Sequence, residues 1–129
     1  MAERKIPAPG VNPETEPFWA AARNGKFLLP WCVESKKAFW YPRAVSPFKP
    51  GGKVDWREAS GRGTIYSLSV MKRAPEPYAI AYVTLDEGPT MMTNIVDCDF
   101  DTLKIGQKVK LVFKQTEGDG PPFPMFTPA

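Results

Sequence analysis

Apolar and polar residues alternate through short runs in the second half of the chain: 64–70 (TIYSLSV), 78–85 (YAIAYVTL), 91–96 (MMTNIV) and 108–113 (KVKLVF). A period of two puts one side of a run inside and the other outside, so each run predicts a half-buried β-strand. The last is the clearest, with Lys108 and Lys110 on one face and Val109, Leu111 and Phe113 on the other. Turn signals separate the runs. Ser60 to Gly63 (SGRG) precedes the first, and Asp86 to Pro89 (DEGP) joins the second to the third. Residues 99–103 predict a single helical turn capped by Asp99. The tail 122–126 (PFPMF) predicts a further strand, restricted to an edge by its prolines. Short strands at regular spacing predict a small antiparallel barrel or a tightly coiled sheet. A five-stranded barrel of the oligonucleotide/oligosaccharide-binding (OB) type fits the length. An SH3-like barrel or a sandwich shares the same pattern.

The first half reads differently. Residues 1–11 are polar and proline-rich and predict an extended arm. Asn12 before Pro13 predicts a helix start, and the run EPFWAAARN places Phe18, Trp19 and Ala22 on one side of a short helix. Gly25 predicts its stop. Residues 26–31 (KFLLPW) predict a short strand. From Cys32 to Trp56 no period lasts, but Phe39, Trp40, Tyr41, Phe48 and Trp56 are concentrated there with proline and lysine. This stretch predicts a knuckle of hairpins held by aromatic packing. The expected organisation is an arm and helix over 1–25, a knuckle over 26–56 and a barrel over 57–129.

Composition narrows the chemistry. The 129 residues include 15 prolines, no histidine and two cysteines, Cys32 and Cys98, which predict reduced thiols rather than a disulfide framework. No apolar window is long enough to cross a bilayer, and no apolar segment follows the charged N-terminus as in a secretory signal, so a cytoplasmic protein is expected. The net charge of +3 conceals a gradient: residues 23–73 hold eleven Lys and Arg against three acidic residues. Such a region attracts phosphate or acidic protein surfaces. Cys98 stands between Asp97 and Asp99, which oppose a thiolate, and no histidine is present to serve as its base. The acidic trio with Asp101 lacks the closing glutamate of a calcium loop. SGRG lacks the spacing of a phosphate-binding P-loop and reads first as a turn into the barrel. Nothing assembles into an acid–base constellation, so an independent enzyme is not expected.

Taken in order, the helix in PFWAAARNGKFLL, Cys32, the Tyr41-Pro42 pair, SGRGTIYSLSV and TLKIGQKVKLVF resemble the DUF35 family of acyl-CoA-associated OB-fold proteins. In that family a rubredoxin-like zinc ribbon precedes an OB-fold barrel. The resemblance spans nearly the whole chain, and it implies a mainly β protein in which a helix and a ribbon-like knuckle precede the barrel. The family's ribbon carries two Cys-x-x-Cys pairs. Here Cys32 stands at the first ligand position, Ser35 at the second, and Ser46 and Lys49 at the second pair. The resemblance therefore implies a degenerate ribbon without metal.

It also implies a non-catalytic accessory subunit that docks to a thiolase-like, ketosynthase-like or aldolase-like large subunit. Acyl-CoA would be the substrate of the complex, and this chain would bind no cofactor itself. Candidate contacts to CoA or to the partner are Lys36, Lys37, Trp40, Arg43, Arg62, Lys72 and Arg73. Phe18, Trp19, Phe123 and Phe126, near the termini, are docking candidates because a small barrel is expected to leave them uncovered. A homodimer stays open. The alternative is a single-stranded nucleic-acid binder, for which basic residues mixed with aromatics supply grip and stacking.

Overall fold

The computed structural model describes residues 5–129. Among the described residues the one α-helix, α1, runs Glu16–Arg23 and buries Phe18, Trp19 and Ala22 as the spacing predicts. It starts three residues after Pro13. Asn12 turns the chain instead, its carbonyl accepting from the Thr15 and Glu16 N–H groups at 3.0 and 2.9 Å and its side-chain oxygen accepting from Thr15 N–H at 3.1 Å. An asparagine side chain bonded to nearby backbone competes with helix in this way. The far end closes as expected. Gly25 takes φ +75°, Lys26 N–H donates to the Ala21 carbonyl at 2.9 Å and Gly25 N–H to the Ala22 carbonyl at 3.0 Å. This paired 6→1 and 5→2 bonding is a Schellman cap.

The knuckle is a three-stranded antiparallel sheet of β1 (Leu28–Cys32), β2 (Lys37–Ala38) and β3 (Val54–Glu58), ordered β2-β1-β3. Its aromatic packing differs from expectation. Phe39 is buried and Trp40 and Trp56 half-buried, but Tyr41 and Phe48 are exposed. Within the segment Phe39 still meets Phe48 edge-on at 6.1 Å and Trp40 meets Tyr41 at 5.3 Å, and further packing comes from the helix and the first strand's approach. The Phe18 ring of α1 meets Trp40 edge-on at 5.2 Å, and Phe27 lies 6.3 Å from the same indole. Helix, knuckle and barrel thus share one apolar core.

The barrel is closed and five-stranded. Its strands are β4 (Arg62–Met71), β5 (Tyr78–Leu85), β6 (Thr90–Ile95), β7 (Lys108–Lys114) and β8 (Phe123–Pro128), in the order β4-β5-β6-β8-β7. Counted within the barrel the order is 1-2-3-5-4, the OB arrangement, which removes the SH3-like and sandwich alternatives. Ile65, Ala79, Ala81, Val83, Leu85, Met91, Ile95, Val109 and Phe126 fill the interior. The turn at 99–103 forms as expected, a single 3-10 turn in which the Asp99 carboxylate accepts from Asp101 N–H at 3.0 Å.

One expectation fails outright: β8 is not an edge strand. It lies between β6 and β7 and closes the barrel, pairing with β7 along its whole length. Ala129 N–H donates to the Lys108 carbonyl at 3.1 Å, which fixes the alternation of the ladder. Pro124 and Pro128 then fall in the non-bonded pairs with Phe113 and Val109, where no N–H is required of them. On the β6 side only Phe126 pairs, with Ile95. The prolines are tolerated because the closing seam is short on one side and in register on the other.

Candidate functional site: the knuckle and its groove

The four positions that would carry a ribbon's ligands do come together in part. Cys32, at the end of β1, is fully buried, and the Ser46 hydroxyl donates to its sulfur at 2.9 Å. Ser46 Oγ in turn accepts from the Phe48 and Lys49 N–H groups at 3.1 and 3.3 Å. Hydrogen bonds from Ser35 and then Ser46 hold the Cys32 thiol below its ordinary pKa; burial opposes them and is the smaller effect. The donor set is one thiol, two hydroxyls and an ammonium. Tetrahedral zinc needs four thiolate, imidazole or carboxylate donors, so these residues do not fit it. Among the described residues no group of three or more His, Cys, Asp or Glu is gathered to hold a metal. A small hydrogen-bonded cluster stands in the place of the ion.

That cluster carries a prediction. Elemental analysis of the purified chain should find well below one zinc per molecule, and chelator should leave the melting curve unchanged. Ser46→Ala removes one donor to the thiol and the acceptor for two backbone N–H groups, and should destabilise the protein by about 1–3 kcal/mol in urea titration. A chelator-sensitive melt with stoichiometric zinc would show that the hydroxyl cluster is not what holds the knuckle.

Beside the cluster an open groove of about 590 Å³ separates the knuckle from the β5–β6 turn of the barrel. Trp31, Trp40 and Phe48 line one wall with Lys36 and Lys37, and residues 87–90 form the other. Lys37 Nζ stands 4.9 Å from the Phe48 ring centre, and the Arg57 guanidinium lies 4.7 Å over Trp31. Lysines beside aromatic faces suit a flat, anionic group on the knuckle wall, and Glu87 places one carboxylate on the facing wall. Lys36 enters the left-handed region at φ +54°, as the tight turn after Cys32 requires.

The sequence candidates are thus only partly gathered. Lys36, Lys37 and Trp40 share the groove. Arg43 lies in a neighbouring hollow with Asn12, Glu14 and Tyr41. Arg62 sits on the outside of β4, 3.6 Å from Asp86, and Lys72 pairs with Asp101 at 3.5 Å beyond the other end of that strand, with Arg73 beside it. Three docking candidates are corrected: Phe18, Trp19 and Phe126 are 1%, 5% and 0% exposed. Phe27 and Trp40 pack on Phe18, Phe27 on Phe126 and Phe123 on Trp19, juxtapositions that the sequence alone does not reveal. Phe123 is half-buried, its ring 5.6 Å from Trp19. Sequence reading missed Trp31 and the 87–90 turn, because the groove is made where distant segments meet. For Cys98, burial first and then Asp99 and Asp97 push the thiol up, away from the reactive thiolate.

A closed OB barrel with a ribbon-like knuckle and a helix packed into one core defines a two-part OB-fold class of protein. The family model described as the C-terminal OB-fold domain of ChsH2 matches residues 56–114. A DUF35 domain-containing scaffold protein of Methanothermobacter thermautotrophicus is 33% identical over 69% of this chain and 72% of its own length. A probable enoyl-CoA hydratase alpha subunit of Thermomonospora curvata is 30% identical over 95% of this chain, which spans only 40% of that protein. Among solved structures, a chain of the Ltp2–ChsH2(DUF35) aldolase superposes with a TM-score of 0.81 at 28% identity, covering 93% of this chain and 98% of that one. The chain belongs to the DUF35 family. Among its described residues no helix is long and apolar enough to cross a membrane.

Proposed function

We propose that this chain is a non-catalytic accessory subunit that docks to a thiolase-like, ketosynthase-like or aldolase-like enzyme and supports its work on acyl-CoA. The observation that carries this reading is the near full-length likeness to a chain of an aldolase complex. The name of the Thermomonospora curvata relative points to the same substrate class. The chain's own chemistry agrees: it has no histidine, one thiol buried in hydrogen bonds and the other pushed up by its neighbours.

In this reading the knuckle groove meets CoA. The ammonium groups of Lys36 and Lys37 face phosphate, and Trp40 with Trp31 and Phe48 offers ring faces to adenine. Arg43 extends the basic margin. Arg62, Lys72 and Arg73, lying elsewhere, face the partner protein, and Phe123 sits at the rim of the helix-covered core.

Co-expression with an acyl-CoA enzyme of the thiolase-like, ketosynthase-like or aldolase-like class, followed by size-exclusion chromatography, tests the reading. A stable complex with altered activity or stability of the large subunit is expected. A chain that elutes alone and changes neither sinks the proposal. Within a formed complex, Lys36→Glu with Lys37→Glu should raise KM for the acyl-CoA severalfold and leave kcat nearly unchanged, the pattern of lost uniform binding. An unchanged KM would remove CoA from the groove.

A further inference from the structure

We infer that the outer face of the β4–β5–β6 sheet is the surface on which this chain seats against its partner, and that the partner offers there an apolar patch bordered on one side by carboxylates. The inference rests on the accessory-subunit reading above and names the surface it leaves open.

Strand register orders this face into rows. Tyr82 on β5 is paired with Met92 on β6, and Tyr66 stands at the β4 irregularity between Ile65 and Ser67, beside Tyr82. Gly106 N–H donates to the Ile65 carbonyl at 2.9 Å and Ile65 N–H to the Gln107 carbonyl at 3.0 Å, which brings Ile105 to the end of the same row. Tyr66, Tyr82, Met92 and Ile105 are 68%, 47%, 61% and 69% exposed. A neighbouring row is hydroxylic: Thr64 pairs with Thr84, and Thr84 with Thr90, whose hydroxyls lie 2.9 Å apart. Lys108 ends this row, its ammonium 3.0 Å from Thr64 Oγ1, and beyond it Arg62 pairs with Lys110. Exposed apolar side chains in register across neighbouring strands exceed the scattered singles of an ordinary surface.

Charge decides the occupant. The basic margin of Lys108, Lys110 and Arg62 meets one carboxylate, Asp86, at 3.6 Å from Arg62. The opposite margin, Ser69, Ile80 and Asn94, is uncharged. A second copy docked through this face about a two-fold axis would set the basic margin of each chain against that uncharged margin, without carboxylates to answer it. A nucleic-acid surface is strongly polar, whereas Met92 and Ile105 at the ends of the row offer bases neither stacking nor hydrogen bonds. A folded protein with an apolar centre and an acidic border on one side satisfies both rows.

The test uses the full chain and the acyl-CoA enzyme subunit co-expressed with it. Tyr82→Asp, and Tyr82→Thr as a variant that keeps strand propensity, should weaken association roughly thirtyfold or more at an unchanged melting temperature. Lys108→Glu with Lys110→Glu should slow association roughly tenfold at low salt, with the difference shrinking as salt rises. Association of the unmodified chain that survives Tyr82→Thr and Met92→Asp in folded protein overturns the inference and leaves the accessory reading standing. Failure of the unmodified chain to associate overturns both. Self-association abolished by Tyr82→Thr, or salt-sensitive binding of oligo-dT abolished by Tyr66→Ala, overturns the inference in favour of a second copy or nucleic acid.

Discussion

Phe126→Ala is expected to destabilise the protein by about 3–5 kcal/mol, the cost of emptying a fully buried aromatic site. Phe126 has no exposed surface. It stands at the one point where β8 touches both neighbours, opposite Leu111 on β7 and Ile95 on β6, and its carbonyl accepts from Val96 N–H at 2.8 Å. Its ring lies 6.4 Å from Phe27, edge to face, so it also joins the barrel interior to the segment leading into the knuckle. Truncation leaves a cavity where the barrel closes and where the two parts meet, and neither wall is free to collapse into it. Urea titration should show a lower midpoint at unchanged slope. A loss below about 1 kcal/mol, far under the buried-aromatic range, would place the ring outside the packed centre and return it to the docking surface.

The second large effect is backbone-driven. Gly63→Ala is expected to cost about 2–3 kcal/mol, near the upper end for overpacking. A β-carbon at Gly63 would meet Val83 Cγ1 at 2.6 Å and the Thr84 carbonyl oxygen at 2.8 Å. The valine is buried in the barrel, and the carbonyl belongs to a strand paired on both sides, so neither yields cheaply. Gly10 is the internal control: nothing lies within 4 Å of its β-carbon position and its φ is not positive. Gly10→Ala should be neutral or stabilise by up to about 1 kcal/mol through the unfolded chain. Melting both variants side by side separates a steric cost from any general intolerance of side chains. Equal effects would mean that β4 and β5 separate to admit the methyl group. The close approach also gives the second glycine of SGRG a steric reason of its own: the space beside Gly63 is taken by β5.

The strands from 62 onward were legible because each buries one face, and a half-buried strand writes its geometry as alternation. Their number and spacing pointed to a small barrel. Gly25 announced the helix stop through its backbone freedom. Once the family resemblance placed the ribbon's ligand positions at Cys32, Ser35, Ser46 and Lys49, the loss of zinc ligands followed from residue type. The groove was half legible: Lys36, Lys37 and Trp40 lie close in sequence, whereas Trp31 and the 87–90 turn reach it only through folding.

What the sequence alone determined is local: strand faces, turn sites, absent catalytic residues and a ribbon without its ligands. Tertiary structure decided what depends on partners far along the chain. β8 became a closing strand, against the rule its prolines suggested, because register placed Pro124 and Pro128 where no donor is needed. Phe18 and Phe126 became core because Phe27, leading into the knuckle, lies against both rings, and Trp19 because Phe123 of β8 packs beside it. Tyr66, Tyr82 and Met92 became one exposed row because successive strands pair at fixed positions, which the pattern of each strand alone does not set. Burial and juxtaposition follow from long-range pairing, which a periodic pattern constrains only through the face each residue takes.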